Sequence, residues 1–239
     1  MRGNTGHEQT TPATRLIVFA RQPRAGRVKT RLAAAIGAAG AANLHAAFVT
    51  DLVTRLAPHF PLAIYATPNP DTPFFQTLAA ATGARLARQV GGDLGARMAH
   101  ALRTELENGA EHVLLIGSDL PTLPVFHLHR AVELLASASD VVFGPAADGG
   151  FYLVGVPQGA LGHWPGVEKM FDGVPWSTPS VLSDTLARAA DTALRVAFVP
   201  SWYDVDTPAD LERLTAWLHD APPKALPCTR AVLAELSGP

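Results

Sequence analysis

The sequence predicts an α/β fold in which a mostly parallel, mixed β-sheet is covered by helices on both faces. Three observations lead there. Continuous apolar runs such as RLIVFA (15–20) and HVLLIG (112–117) have the pattern of strands buried on both faces. They alternate with segments of helical apolar spacing, such as Leu44, Phe48, Leu52 and Leu56. DVVFG (140–144) is followed by FYLVGV (151–156) too soon for a helical crossover, so the sheet is expected to be mixed. Strands alternating with helices give a three-layer α/β/α, Rossmann-like architecture.

In chain order, residues 1–13 read as a loose tail, and one domain is expected over 14–219. A Gly/Pro/basic loop, Arg21–Arg31, follows the first strand. PLAIYAT (61–67) is the second strand. Asp71 or Thr72 can cap a helix that Gly83 ends. Arg85–Val90 reads as a short strand, and Gly91-Gly92-Asp93 leads into a helix near Leu94. After the strand at 112–117, Leu128, Val132 and Leu135 share a helix face. The turn 145–150 joins the two strands at 140–144 and 151–156. A helix over 178–190 and a strand over 193–199 come next. Thr207-Pro208 opens a last helix, with Thr207 as cap and Pro208 at its first position. The segment 220–239 is Pro-rich and expected to be irregular.

The bulk composition narrows the function classes. A 239-residue chain, 48% hydrophobic and 17% charged, is long enough to bury a full core. Its formal net charge of -2, without long runs of one sign, gives no reason to expect nucleic acid as a partner. Cys228, the one cysteine, excludes a disulfide within the chain. No apolar stretch is read as reaching the roughly 20 residues of a membrane span. The first residues lack the apolar core of a signal peptide, so a cytoplasmic location is expected.

Ligands of such sheets bind beyond the carboxyl ends of the strands, and four polar clusters fall there. The first is ARQPRAGRVKTRL (20–32), in which Arg21, Arg24, Arg27, Lys29 and Arg31 surround Gly26. Mobile backbone amides and several cations suit a di- or triphosphate; the competing reading is a solvated basic loop. The loop carries neither the G-x-x-x-x-G-K-[ST] nor the G-x-G-x-x-G fingerprint. In the second, GSDLP (117–121), Asp119 ends an apolar run, where a carboxylate suits Mg²⁺ better than packing. The third, DGGFYLVG (148–155), is either a close-approach turn beside a ligand or an ordinary Asp-Gly hairpin. In the fourth, WYDVDTPADL (202–211), Asp204 and Asp206 share one face of an extended segment, and either could complete a metal site begun by Asp119. Trp176 and Ser177, in FDGVPWST, offer an aromatic face beside polar groups for an acceptor; plain packing is the alternative for the tryptophan.

The ordered run VFARQPRAGRVKTRL, GDLGARM, GSDLP, DGGFYLVG, FDGVPWST and DVDTPADL resembles the DUF2064 family over about residues 15–217. That family belongs to the nucleotide-diphospho-sugar transferase superfamily, with the GT-A fold. By that resemblance Gly26, Lys29 and Arg31 match the phosphate loop, and Arg21, Arg27 and Thr30 beside them, with Gly92 and Arg97 of GDLGARM, are expected to complete the phosphate-binding set. The resemblance implies catalytic roles for Lys29, Arg31 and Asp119, and a Mg²⁺ (or Mn²⁺) site on Asp119 and Asp206. Asp148, Gly149, Gly150, Trp176 and Ser177 would line the acceptor side. The sequence departs from the small nucleotidyltransferases in carrying Arg21-Gln22-Pro23 where they have a Gly-Gly pair.

The expected function is therefore a metal-dependent, nucleotide-binding transferase. Its partners would be a nucleotide, NTP or NDP-sugar, and a small-molecule acceptor. The leading reaction is nucleotidyl transfer to a phosphorylated acceptor with release of pyrophosphate. The alternatives are glycosyl transfer from an NDP-sugar and nucleotide binding without turnover.

Overall fold

A computed structural model describes residues 14–237, so the expected tail over 1–13 lies outside the described residues. The elements run β1 (Thr14–Arg21), α1 (Thr30–Leu56), β2 (Leu62–Thr67), α2 (Pro73–Thr82), β3 (Arg85–Arg88), α3 (Leu94–Glu107), β4 (His112–Gly117) and α4 (Val125–Ser137). They continue with β5 (Val141–Pro145), β6 (Phe151–Pro157), α5 (Trp164–Lys169), α6 (Val181–Ala190), β7 (Val196–Phe198), α7 (Pro208–Asp220) and α8 (Pro227–Ser237). Seven strands form one sheet in the order β3-β2-β1-β4-β6-β5-β7. Only β6 runs against its neighbours, β4 and β5, as the short 140–156 spacing requires.

The pleat divides the core. Leu16 and Val18 of β1 face a cluster built with α1, α2 and α4, while Ile17 and Phe19 face one built with α3, α5 and α6. A third cluster joins Leu32 and Phe48 of α1 to Tyr203, Val205, Leu214 and Leu218. It packs the segment before α7 against the helix that begins after the basic loop.

Four local expectations need correction. First, helix α1 is long and apolar enough to cross a membrane by length and composition, contrary to the reading of the sequence. It is broken at Gly37 (φ 74°, ψ 159°), and its apolar residues pack on the sheet as a core helix. Second, the segment after Asp220 is not all irregular, because it holds α8. Asp51 of α1, itself buried, accepts hydrogen bonds from the backbone N–H groups of Cys228 and Thr229 (3.1 and 2.8 Å) and from the Thr229 hydroxyl (2.7 Å). A distant carboxylate thus satisfies the amides at the start of α8, which no local cap signal announced. Third, Thr72 stands at the N-cap of α2 without making a side-chain cap bond. Fourth, the strand expected over 193–199 shrinks to three residues, and α6 begins at Val181. By contrast, α7 carries a full capping box between Thr207 and Asp210, at the predicted cap.

Replacing Asp51 with Ala should destabilise the protein by about 2–3 kcal/mol, because two amides and a hydroxyl lose their buried acceptor. Equilibrium urea unfolding measures this; a change below about 0.5 kcal/mol would show that α8 is not anchored this way.

Candidate functional site

The parallel strands deliver their polar ends to one edge of the sheet. There a cleft of about 640 Å³ is lined by Arg21, Arg27, Lys29 and Thr30 from the first loop and Gly117, Ser118 and Asp119 after β4. Gln89, Asp93, Leu94 and Arg97 line it around the start of α3, and Trp176, Ser177 and Asp206 complete it. Ligand pockets of 300–1,000 Å³ are common, so the space suits a nucleotide-sized molecule.

Backbone pairing brings the distant aspartates together. Beyond β7 the chain runs on beside the end of β5, where Trp202 N–H donates to Pro145 and Ala147 N–H donates to Trp202. Val205 N–H then donates to the Asp119 carbonyl at 2.9 Å, fastening the DVD segment beside the end of β4. Asp204 and Asp206 therefore arrive next to Asp119.

Lys29 lies between the carboxylates. Its Nζ donates to Asp119 Oδ1 at 2.7 Å, to Asp206 Oδ1 at 2.6 Å and to the Val205 carbonyl at 2.7 Å. All three ammonium hydrogens thus have an acceptor. Its backbone is left-handed (φ 48°, ψ 43°) at the N-cap of α1. The competing reading of a solvated basic loop does not hold for Lys29, whose side chain is 2% exposed and spent on the two aspartates. Asp119 and Asp206, at 34% and 45%, remain open to the cleft. The carboxyl groups lie well inside the ~8 Å that a shared ion with ~2 Å bonds demands.

The electrostatics follow from this crowding. Burial pushes Lys29 down, but the charges of Asp119 and Asp206 outweigh it and leave the ammonium above the ordinary lysine value. Burial likewise pushes Asp119 up, and Lys29 and His45 overcome it to hold the carboxyl well below the usual range. Asp204 is the unmatched acid. Burial, then the charges of Asp119 and Asp206, push it up to about 8, and Lys29 offsets only part of this.

His45, in the middle of α1, was missed from sequence. It is buried, its Nε2 lies 3.0 Å from the Arg21 carbonyl and its Nδ1 3.3 Å from Asp119 Oδ1. A carbonyl only accepts, so Nε2 donates to it, and the ring lies between the end of β1 and Asp119. The available signal was a histidine next to Leu44 within a buried helical face. Gln89 was also missed; its side-chain amide donates to the Tyr65 carbonyl at 2.9 Å.

The remaining expected residues divide. Arg97, whose Nε donates to the Gly91 carbonyl, lines the cleft beside Asp93, which caps α3 by accepting from Ala96 N–H. Gly91 must be glycine there, because a Cβ would meet Arg97 N at 2.6 Å. Arg31, Gly26 and Gly92 are exposed and are not among the residues lining the cleft. Nor are Asp148, Gly149 and Gly150: Asp148 accepts from Gly150 N–H at 3.0 Å in the turn between β5 and β6, the ordinary hairpin geometry. Gly149 packs so closely under Pro179 that a Cβ would lie 2.1 Å from its carbonyl oxygen. Trp176, partly buried, reaches the cleft as part of an aromatic group with Phe151 and Phe171.

The family model of DUF2064, uncharacterised proteins conserved in bacteria, matches residues 49–178. The chain belongs to the DUF2064 family. Among solved structures, this DUF2064 protein resembles one from Desulfovibrio desulfuricans G20, provisionally assigned as a nucleotide-diphospho-sugar transferase. The two share 32% identity over 95% of this chain and 96% of that one, with a TM-score of 0.83. A nucleotidyl transferase from Methanothermobacter thermautotroptrophicus aligns at 14% identity, covering 88% of this chain and 100% of its own, with a TM-score of 0.57. Glucosyl-3-phosphoglycerate synthase from Mycobacterium tuberculosis, solved with Mn²⁺ and UDP, aligns at 14% over 95% and 80%, with a TM-score of 0.51. At such identities the last two establish likeness of fold alone. No curated protein matches.

Proposed function

We propose that this DUF2064 protein is a cytoplasmic, metal-dependent nucleotidyltransferase that joins an NTP to a small phosphorylated acceptor and releases pyrophosphate. The observation that carries the reading is the convergence of Asp119 and Asp206 on one point, held here by the Lys29 ammonium, at the edge of a cleft that also presents Arg21, Arg27 and Arg97. The donor set fits a hard divalent cation: two accessible carboxylates converge on one point. Bound there by Asp119 and Asp206, Mg²⁺ or Mn²⁺ would neutralise phosphate charge and polarise the phosphoryl group under attack.

This chain's own residues do the rest. The arginines and Lys29 bind phosphate oxygens, assisted by the first-turn amides of α1, which no side chain caps. Trp176 and Ser177 hold the acceptor against the nucleotide. An acceptor phosphate is already anionic at neutral pH, so no residue needs to remove a proton. Its oxygen forms the new bond to the α-phosphorus, the bond to the β-phosphate oxygen breaks, and pyrophosphate leaves with the electron pair. Rate enhancement then comes from positioning and charge neutralisation. Glycosyl transfer is the second reading, favoured by the provisional assignment of the 32%-identical relative.

Assaying the four NTPs with a panel of sugar and polyol phosphates in Mg²⁺ separates the readings. Pyrophosphate release supports the first, whereas release of NDP from NDP-sugars replaces it with the second. Binding without turnover across both panels would make the protein a nucleotide-binding regulator. Within the site, Arg27→Ala and Arg97→Ala should each weaken nucleotide binding about ten- to a hundredfold, one charge-assisted contact apiece. Arg31→Ala, outside the cleft, should change it less than about threefold by calorimetry; the reverse ranking would relocate the phosphate site.

A further inference from the structure

We propose that Lys29 is the resident counter-ion of the Asp119–Asp206 pair, and that a divalent cation binds there only by displacing it. This rests on the reading of those two aspartates as a cation site. The Lys29 ammonium contacts both Oδ1 atoms, at 2.7 and 2.6 Å, so it occupies the point on which the two carboxylates converge. A cation held by the same oxygens and this ammonium cannot share that point without strong repulsion. The ammonium is also well secured: the Val205 carbonyl takes its third hydrogen and only 2% of the side chain is exposed.

Displacement costs the protein three part-buried hydrogen bonds, two of them charge-assisted on both sides. In the absence of phosphate the released ammonium gains only water. With a polyphosphate in the cleft it gains anionic oxygens beside Arg21 and Arg27, which line the same space. Cation and nucleotide are therefore coupled through one side chain: each makes room for, or rehouses the charge displaced by, the other. The nucleotide-free protein binds cation weakly because its own lysine competes, a device that reserves the loaded site for the ternary complex.

The test is Mn²⁺ binding without nucleotide, followed by electron paramagnetic resonance of the free ion. Lys29→Met and Lys29→Gln should bind Mn²⁺ about ten- to a hundredfold tighter than the wild type, the range expected for removing a charge-assisted competitor. Adding Asp119→Asn to either variant should abolish the gain. Equal or weaker Mn²⁺ binding in the Lys29 variants, with binding retained in the wild type, overturns the competition while leaving the cation site in place. Failure of every folded variant to bind millimolar Mn²⁺ overturns the site itself. If neither Lys29 variant folds, the wild type decides. Saturating Mn²⁺ should raise acylation of Lys29 by acetic anhydride, read by mass spectrometry against the exposed Lys169 and Lys224. An unchanged Lys29 rate defeats the proposal.

Discussion

Asp119→Asn is expected to lower kcat about a hundred- to a thousandfold while leaving the protein folded. Asparagine keeps the shape of the side chain but removes the charge that a phosphate-bound cation would meet. The fold should survive because Lys29 keeps Asp206 at 2.6 Å and the Val205 carbonyl at 2.7 Å, so no buried ammonium is orphaned. The variant should also respond differently to acid. The Asp119 carboxyl sits below its ordinary value in the folded chain, where Lys29 and His45 outweigh burial. Its ionised form therefore stabilises the native state above the unfolded carboxyl value of about 4, and that contribution fades as pH falls further. The amide of the variant cannot titrate, so this limb of the acid-stability curve should be lost. Turnover at saturating Mg²⁺ and thermal melts between about pH 2.5 and 6 test both halves. Activity within about threefold of wild type would remove Asp119 from the mechanism.

Asp204→Asn should do the opposite to stability. Asp204 is pushed up to about 8 by burial and by the charges of Asp119 and Asp206. A raised carboxyl means that the folded protein binds this proton more tightly than the unfolded chain. Its contribution to stability is full below about pH 4 and is lost as pH rises towards 8. Asparagine imitates the protonated acid at every pH, so the variant and wild type should melt together near pH 4 and separate above it. By about pH 8.5, in a chelator, the variant should gain about 2 kcal/mol, or roughly 4–8 °C in Tm, after discounting the full linkage for partial solvent access. Mg²⁺ together with nucleotide should narrow the gap by supplying the missing positive charge. A constant difference across that pH range would mean that Asp204 does not carry this proton. Retention of so costly an acid beside the cleft fits a site that exchanges stability for function.

Local pattern was enough for the sheet and most helices. RLIVFA and HVLLIG became β1 and β4 because strands buried on both faces need unbroken apolar runs, and Thr207 capped α7 because cap chemistry acts within four residues. That Asp119 and Asp206 would meet was also legible, since a parallel sheet gathers its strand ends at one edge. The rest depended on side-chain direction and long-range contact, which neither periodicity nor motif encodes. Long-range contact makes Lys29 the buried link between two aspartates, while Arg31, two residues on, faces solvent. His45 read as one more position on an apolar helix until packing set it between the Arg21 carbonyl and Asp119. Helix α8 was hidden for the same reason: its anchor, Asp51, lies in α1, far away along the chain. Spacing along the chain reports which residues share an element's face; which charges share a cleft is settled only when distant faces pack.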